Sequence, residues 1–177
     1  MKALVFDTET TDLISNSAIP LDKQPYVIEF FGHIVDDAGT IHEELEFMCS
    51  CPVPIPAIVT KITGLRDNDI AGFPPFKDHI KDIQAIFDKA DAIVAHNLSF
   101  DLGMLQNDGK RNGYEFKFPA IKICTVEETE HIKGFRLDLT SLHLHLFDEG
   151  FLAAHRARND VNALTRCYLE LRKRGVV

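Results

Sequence analysis

No stretch of this sequence approaches the ~18 apolar residues that a membrane span needs, and no basic-apolar leader opens it. Both absences lead to the expectation of a cytoplasmic protein with no membrane-spanning helix. Cysteine is sparse: Cys49, Cys51, Cys124 and Cys167 form no CxxC pair and no zinc spacing. Cys49 and Cys51 would share one face of a strand, where they do not easily bridge to each other, so packed, reduced thiols are expected. A surplus of positive charge is also missing. The net charge of −8 argues against broad, nonspecific binding to a phosphate backbone. It leaves room for an enzyme with a small footprint on nucleic acid, because bound divalent ions supply positive charge locally. There is no internal repeat, no low-complexity segment and no linker between two halves. What remains is a chain of 177 residues, 45% hydrophobic and 26% charged. That is the profile of an ordinary globule, long enough for one substantial core, and residues 1–177 are expected to form a single domain.

The stretch Phe6-Asp7-Thr8-Glu9-Thr10-Thr11-Asp12-Leu13 organises the chain. It follows the apolar run Ala3-Leu4-Val5-Phe6, which reads as a buried strand. Side chains alternate across a strand, so Val5, Asp7 and Glu9 share a face. Two acids then point the same way at the end of a core strand. Without compensation they repel, and burial makes the repulsion worse. A cation would resolve this, and hard carboxylate oxygens favour Mg²⁺ or Mn²⁺. The alternative is a polar turn after an edge strand.

Beyond this stretch, Ile14 to Gln24 reads as a surface loop. Tyr26 to Val35 reads as a long strand, Asp36-Asp37-Ala38-Gly39 as a turn, and Thr40 to Cys49 as the returning strand. The first three strands are thus antiparallel. Pro52, Pro54 and Pro56 break any ladder. Ala57 to Gly64 reads as a short helix ending at Gly64. Phe76, Ile80, Ile83 and Phe87 give Pro75 to Lys89 a helical stripe. Ala92 to Ala95 reads as a core strand, followed by a helix capped by Ser99, with Leu102 and Leu105 inward. Asn107 to Tyr114 reads as a loop. Ile121 to Cys124 is a short strand, and Thr125 caps the next short helix. Asp138 or Thr140 starts a helix carrying Leu142 and Leu146. Arg156 to Lys173 forms the last helix, with Val161, Leu164, Tyr168 and Leu171 inward. The order predicts a mixed sheet with helices on both sides.

Two further acids sit on apolar stripes. Asp101 precedes Met104 and Leu105 on one helix, and Asp160 precedes Leu164 on another. Such positions are unusual for a charge that is neither paired nor bound to metal. Either aspartate alone could be a first-turn acid favoured by the helix dipole. Asp101 also follows a core strand closely, and ligands in parallel sheets bind beyond the strand carboxyl ends. His155, where the last helix begins, could take a proton from a bound water. His143 and His145 read as incidental.

The chain resembles the DEDDh family of 3′→5′ exonucleases, the group like the proofreading epsilon subunit of DNA polymerase III. Three motifs carry the resemblance: Phe6-Asp7-Thr8-Glu9-Thr10-Thr11, Ala95-His96-Asn97-Leu98-Ser99-Phe100-Asp101, and His155-Arg156-Ala157-Arg158-Asn159-Asp160. Ile62-Thr63-Gly64-Leu65 resembles the family's segment between the first two. One departure is Asp12, where the family often has glycine; another is the length of the loop after Leu13.

The resemblance implies a ribonuclease H-like fold, α/β, with a five-stranded mixed sheet flanked by helices. It implies two divalent ions, Mg²⁺ or Mn²⁺. Asp7, Glu9 and Asp160 would hold one directly; Asp7 would bridge to the second, with Asp101 acting through water. One ion would activate the attacking water and the other would stabilise the leaving 3′ oxygen. His155 would be the general base, and the products would be 5′ mononucleotides. Thr10, Leu13, Ile62, Gly64, Leu65, Asn97 and Phe100 would approach the terminal nucleotide. The expected partner is nucleic acid with a free 3′ end, a single strand of DNA being favoured. A polymerase is a second potential partner, and no membrane is involved. Beside a purely structural globule with surface acids, which the two stripe-facing aspartates argue against, two other functions compete: an exoribonuclease on small RNAs, and a nucleic-acid or polymerase-binding module that has lost catalysis. All five acid and base positions are present, which argues against the latter.

Overall fold

The first apolar run of the chain becomes the middle of its sheet. The computed structural model describes residues 1–12, 19–151 and 155–177. Strand β1 (Lys2–Thr10) lies between β2 (Val27–Asp36), antiparallel to it, and β4 (Ala92–Ala95), parallel to it. Outside these lie β3 (Ile41–Met48), antiparallel to β2, and β5 (Ile121–Cys124), parallel to β4. The order β3-β2-β1-β4-β5 is the expected five-stranded mixed sheet with its first three strands antiparallel.

Alternation along β1 feeds two cores, one on each face of the sheet. Leu4 and Phe6 pack with Phe30, Ile34, Ile83, Phe87 and Leu105 on one face. Ala3 and Val5 pack with Phe31, Val94, Val161, Leu164 and Tyr168 on the other. The first face is covered by α3 (Ile80–Asp88) and α4 (Leu98–Arg111), and the second by α7 (Ala157–Lys173). Helix α6 (Leu139–Phe147) packs on α7 through Leu142, Leu146, Cys167 and Leu171. Helices α1 (Ala57–Thr63) and α2 (Asp67–Ile70) build a smaller cluster with Ile28, and α5 (Thr125–Lys133) follows β5 directly. Among the described residues no helix is long and apolar enough to cross a membrane.

Most boundaries fall where the patterns place them. Gly64 closes α1 in the left-handed conformation, with φ +78°. Asp138 is the N-cap of α6 and accepts from the Ser141 N–H. All four cysteines are free thiols; Cys49, Cys124 and Cys167 are buried and Cys51 is partly so.

Four expectations need correction. Residues 76–79 form a 3-10 turn before α3 instead of its first turn. The Asp78 N–H reaches back to Pro75 O, so the pair Pro74-Pro75 sets a tighter entry than an α-helix. Ser99 lies inside α4 instead of capping it; the N-cap position falls to Asn97, which makes no side-chain cap hydrogen bond and sits in the left-handed region at φ +76°, which asparagine tolerates. Residues 107–111 are helix, not loop. Tertiary contacts there override a polar, glycine-containing stretch: the Asp108 carboxylate pairs with Arg111 and accepts the Val27 N–H, and Gly109 lies against Tyr114 and Phe116. Thr125 is the first residue of α5 rather than its cap, and its hydroxyl bonds to His96 instead. The short helix α2 occupies a stretch without an apolar period. Of the expected surface loop Ile14 to Gln24, residues 14–18 lie outside the described residues, as does Leu13, and Leu21–Lys23 form a 3-10 turn.

Candidate active site

The acids of β1 emerge on the face covered by α7. Register puts Asp7 opposite Phe31 and Glu9 opposite Glu29 on β2. The first turn of α7 brings Asp160 to the same place. Asp7, Glu9 and Asp160 each present a carboxylate oxygen, and these oxygens lie within 4.8 Å of one another. All three residues are partly exposed, so the cluster opens to solvent on one side.

Asp101 arrives from the opposite face. It sits in the first turn of α4 and is 1% exposed. One oxygen, Oδ1, accepts from the Thr8 N–H at 3.0 Å and the Thr8 hydroxyl at 2.7 Å. Thr8 lies between Asp7 and Glu9, so this contact ties α4 to the strand segment that holds the two acids. Asp101 stands outside the converging triplet, yet its charge still acts on Asp7.

Burial pushes every member of this group up, and repulsion from neighbouring carboxylates adds to it at Asp7, Glu9 and Asp160. Asp7 is raised well above the usual carboxylate range by burial, then by Asp101, Glu9 and Asp160. Glu9 rises to about 8, again by burial first and then by Asp160 and Glu29. Asp101 rises to about 7 by burial, against the two Thr8 hydrogen bonds that favour its charged form. Asp160 rises to about 6 by burial, opposed first by the His155 N–H. Hard oxygen donors in this crowded state fit a divalent cation, which would let all of them ionise together.

His155 stands at the start of α7 with φ +68°. Its backbone N–H donates to Asp160 Oδ2 at 2.8 Å. With Asp7, Asp160, His96 and Asp138–Ser141 it lines a cavity of about 470 Å³. The next residue, Arg156, grips Glu29 with Nε and Nη2, the latter at 2.8 Å. His96, which ends the β4 connection, bonds to the Thr125 hydroxyl at 2.9 Å and the Leu137 carbonyl at 3.1 Å. Burial lowers its imidazole to about 4, so it is neutral at ordinary pH and ties the segment before α6 to the sheet. A larger cavity of about 800 Å³, walled by Tyr26, Phe76 and Arg111, contains none of the clustered acids. Of the two, only the smaller is lined by Asp7, His155 and Asp160.

The residues expected around a terminal nucleotide are placed unevenly. Ile62 is 49% exposed on α1. Gly64 has open space where a side chain would project. Asn97 is exposed at the end of β4 and Phe100 is partly buried behind it. Thr10 is buried, and its hydroxyl is spent on the Asp12 carbonyl. Leu65 packs among Ile28, Val59 and Ile70 and is 3% exposed, so its side chain offers almost no surface to a ligand. Glu29, Arg156 and His96 were not singled out from sequence. Glu29 had a readable signal: it is a charge inside an apolar ten-residue strand, the anomaly that marks Asp101 and Asp160.

The chain is 27% identical over 173 residues to the 3'-5' exonuclease DinG of Bacillus subtilis (strain 168), covering 95% of this chain and 17% of that protein. It is 25% identical over 172 residues to the PolC-type DNA polymerase III of Caldanaerobacter subterraneus subsp. tengcongensis, covering 95% of this chain and 11% of that one. It thus spans less than a fifth of either relative. Among solved structures, E. coli exonuclease I in complex with a dT13 oligonucleotide superposes with a TM-score of 0.79 at 16% identity, over 98% of this chain and 41% of that one. The nuclease domain of 3'hExo, a DEDDh family member bound to rAMP, gives 0.78 at 12% identity, over 99% and 93%. These likenesses establish the ribonuclease H-like fold. Residues 4–168 match the exonuclease family RNase_T, and the chain belongs to that family.

Proposed function

We propose that this chain, as a single nuclease domain, hydrolyses phosphodiester bonds from the 3′ end of nucleic acid and releases 5′ mononucleotides. The observation that carries this reading is the convergence of Asp7, Glu9 and Asp160 oxygens within 4.8 Å, beside His155 on one cavity wall. Asp7, Glu9 and Asp160 would hold a divalent cation, Mg²⁺ or Mn²⁺, and Asp7 with Asp101 would serve a second. When bound, the ions supply a Lewis acid on the phosphoryl oxygen and neutralise charge on the attacking and leaving oxygens. Asp101 orients the strand end through Thr8. His155 accepts the proton of the attacking water at its imidazole. Asp160 holds the His155 turn through the backbone N–H. Ile62, Gly64, Asn97 and Phe100 border the terminal nucleotide, with Thr10 and Leu65 contributing through their backbone; Leu13 lies outside the described residues.

DNA is the favoured substrate. The relatives named as an exonuclease and as DNA polymerases, and a neighbour solved with a dT13 strand, support it. RNA is the second reading, because another neighbour was solved with rAMP. The PolC-type relatives support association with a polymerase. One assay tests all of this: purified protein with Mg²⁺ on end-labelled single-stranded DNA, duplex DNA and RNA, with products resolved by length. A ladder shortening from the 3′ end of single-stranded DNA is expected. No shortening of any of the three would sink the proposal.

A further inference from the structure

We infer that Glu29 and Arg156 are a positioning pair that sets the turn carrying His155 and Asp160. The inference rests on the hydrolytic role proposed for those two residues. Glu29 is 3% exposed and stands opposite Glu9 in the β1–β2 register. Like charges at paired positions on neighbouring strands repel, and a buried carboxylate is costly unless paired. Retaining Glu29 there therefore calls for a structural reason, and its partners supply it. Arg156 clasps it with two nitrogens, Nε at 3.1 Å and Nη2 at 2.8 Å. The Ala157 N–H donates to Glu29 Oε2 at 3.3 Å. Ala157 is the first residue of α7, whose N-cap residue Arg156 gives no side-chain cap. The first N–H groups of a helix have no partner within it. A carboxylate from β2 takes that part from across the interface.

The turn just before is the one that needs holding. His155 has φ +68°, a conformation that residues other than glycine rarely keep unless the surroundings impose it. It is fastened at both ends: its own N–H goes to Asp160 Oδ2 at 2.8 Å, and the next residue is clasped to the sheet by Glu29. Neither Glu29 nor Arg156 lines the cavity that His155 and Asp160 share. Their effect on the reaction is indirect, through the placement of the imidazole. A second arginine two residues on provides the contrast. Arg158 also links α7 to the sheet, through Glu44 and Glu46 on β3, but those pairs are exposed.

The test compares Arg156→Ala, Arg156→Lys, Glu29→Ala, Arg158→Ala, His155→Ala and the His155→Ala/Arg156→Ala double variant, each on single-stranded DNA with Mg²⁺. Arg156→Ala is expected to lower kcat about 10- to 100-fold, as misplacement of a reacting group does, with KM little changed. Arg156→Lys should recover only part of this, because an ammonium lacks the two-pronged fork. Glu29→Ala should match Arg156→Ala. Arg158→Ala should stay within about twofold of wild type, as for exposed pairs. Most telling, the double variant should be no slower than His155→Ala alone, since a residue acting through His155 has nothing left to act on. Losses that multiply would overturn the inference, and so would an Arg158→Ala defect as large as that of Arg156→Ala. Amide exchange gives a readout independent of activity. In Arg156→Lys, which keeps the charge and is the safer variant to fold, the His155 and Ala157 amides should exchange about tenfold faster or more while β1 amides hold. Unchanged protection at those two amides would refute the positioning role even if the wild-type protein cleaved nothing, an outcome that would count separately against the proposed function.

Discussion

Four carboxyls meet around one strand end, and burial raises each above its ordinary range before any neighbour acts. The sign of the consequence follows from proton counting. Unfolded references lie near ~3.9 for aspartate and ~4.3 for glutamate, while the folded values reach about 6 for Asp160, about 7 for Asp101 and about 8 for Glu9. Between these limits the four carboxyls of the folded chain without metal hold more protons than in the unfolded one, and they outnumber His96, which burial shifts in the opposite sense. The stability of the metal-free chain falls as pH rises from about 4 through about 8 and stays lowered above. Thermal melts in chelator should therefore give a higher midpoint at pH 5 than at pH 8; a midpoint that climbs over this range would contradict the crowding. Asp7→Asn keeps the shape and removes one repelling charge. It should raise the metal-free midpoint near neutral pH and weaken the shift on adding Mg²⁺. A variant that melts below wild type with an unchanged Mg²⁺ shift would refute the same picture. For His155→Ala, turnover should drop ~10²–10⁴-fold, as when a general base is lost, with Mg²⁺ affinity kept. Collapse of that affinity in a binding titration would make His155 a ligand instead.

Elements place these side chains, and their packing sets how much change they tolerate. Strand β2 passes Phe6 at Gly32, where an added Cβ would lie 2.9 Å from Phe6 Cβ. No flexible side-chain end is available to move, because Phe6 is itself packed against Phe30 and Phe87. Gly32→Ala should therefore destabilise by ~1–3 kcal/mol through overpacking, read as a lower urea midpoint with an unchanged slope. An unchanged midpoint would show that the β1–β2 ladder gives more easily than its register implies. The same scale explains where sequence patterns misplace boundaries. Helix α4 continues to Arg111 because Asp108 has partners on β2 and on its own helix. Its sequence there is polar and contains glycine, so only a contact from outside the helix could prolong it. The strands, by contrast, were legible. Apolar runs such as Ala3–Phe6 and Ala92–Ala95 are buried on both faces and have no other stable setting.

On the scale of the whole molecule, a net charge of −8 surrounds a site built from carboxylates, for a proposed substrate that is itself an anion. Cation binding is the expected solution. Excess chelator should abolish cleavage, and Mg²⁺ or Mn²⁺ should restore it; undiminished cleavage in chelator would exclude the metal mechanism. Because a cation binds only the assembled site, it should also stabilise the fold by ~2.7 kcal/mol at a hundred times its dissociation constant. Direction of attack is a property of the whole molecule too. A bulky group on the substrate's 3′ end should slow cleavage strongly, and the same group on the 5′ end should not. Internal cuts in a circular single strand would rule out action from an end.

Sequence alone determined which residues are available and in what order they come. The acid pair on one face of β1 follows from the two-residue period of a strand. The oddity of Asp101 and Asp160 follows from the stripe of a helix, and the antiparallel start of the sheet from the turn at Asp36–Gly39. These are local rules, acting over a few residues. Tertiary structure alone decided how the pieces meet. Asp101 reaches the strand end through Thr8, from the face opposite Asp160. Leu65 packs its side chain into a core with Ile28, Val59 and Ile70. His96 is held neutral between Thr125 and Leu137. Glu29 finds Arg156 only because β2 pairs with β1 in one register and α7 crosses both. Such contacts join residues far apart along the chain, and no local period encodes them; they exist only once the sheet has fixed its register and the helices have packed on its two faces.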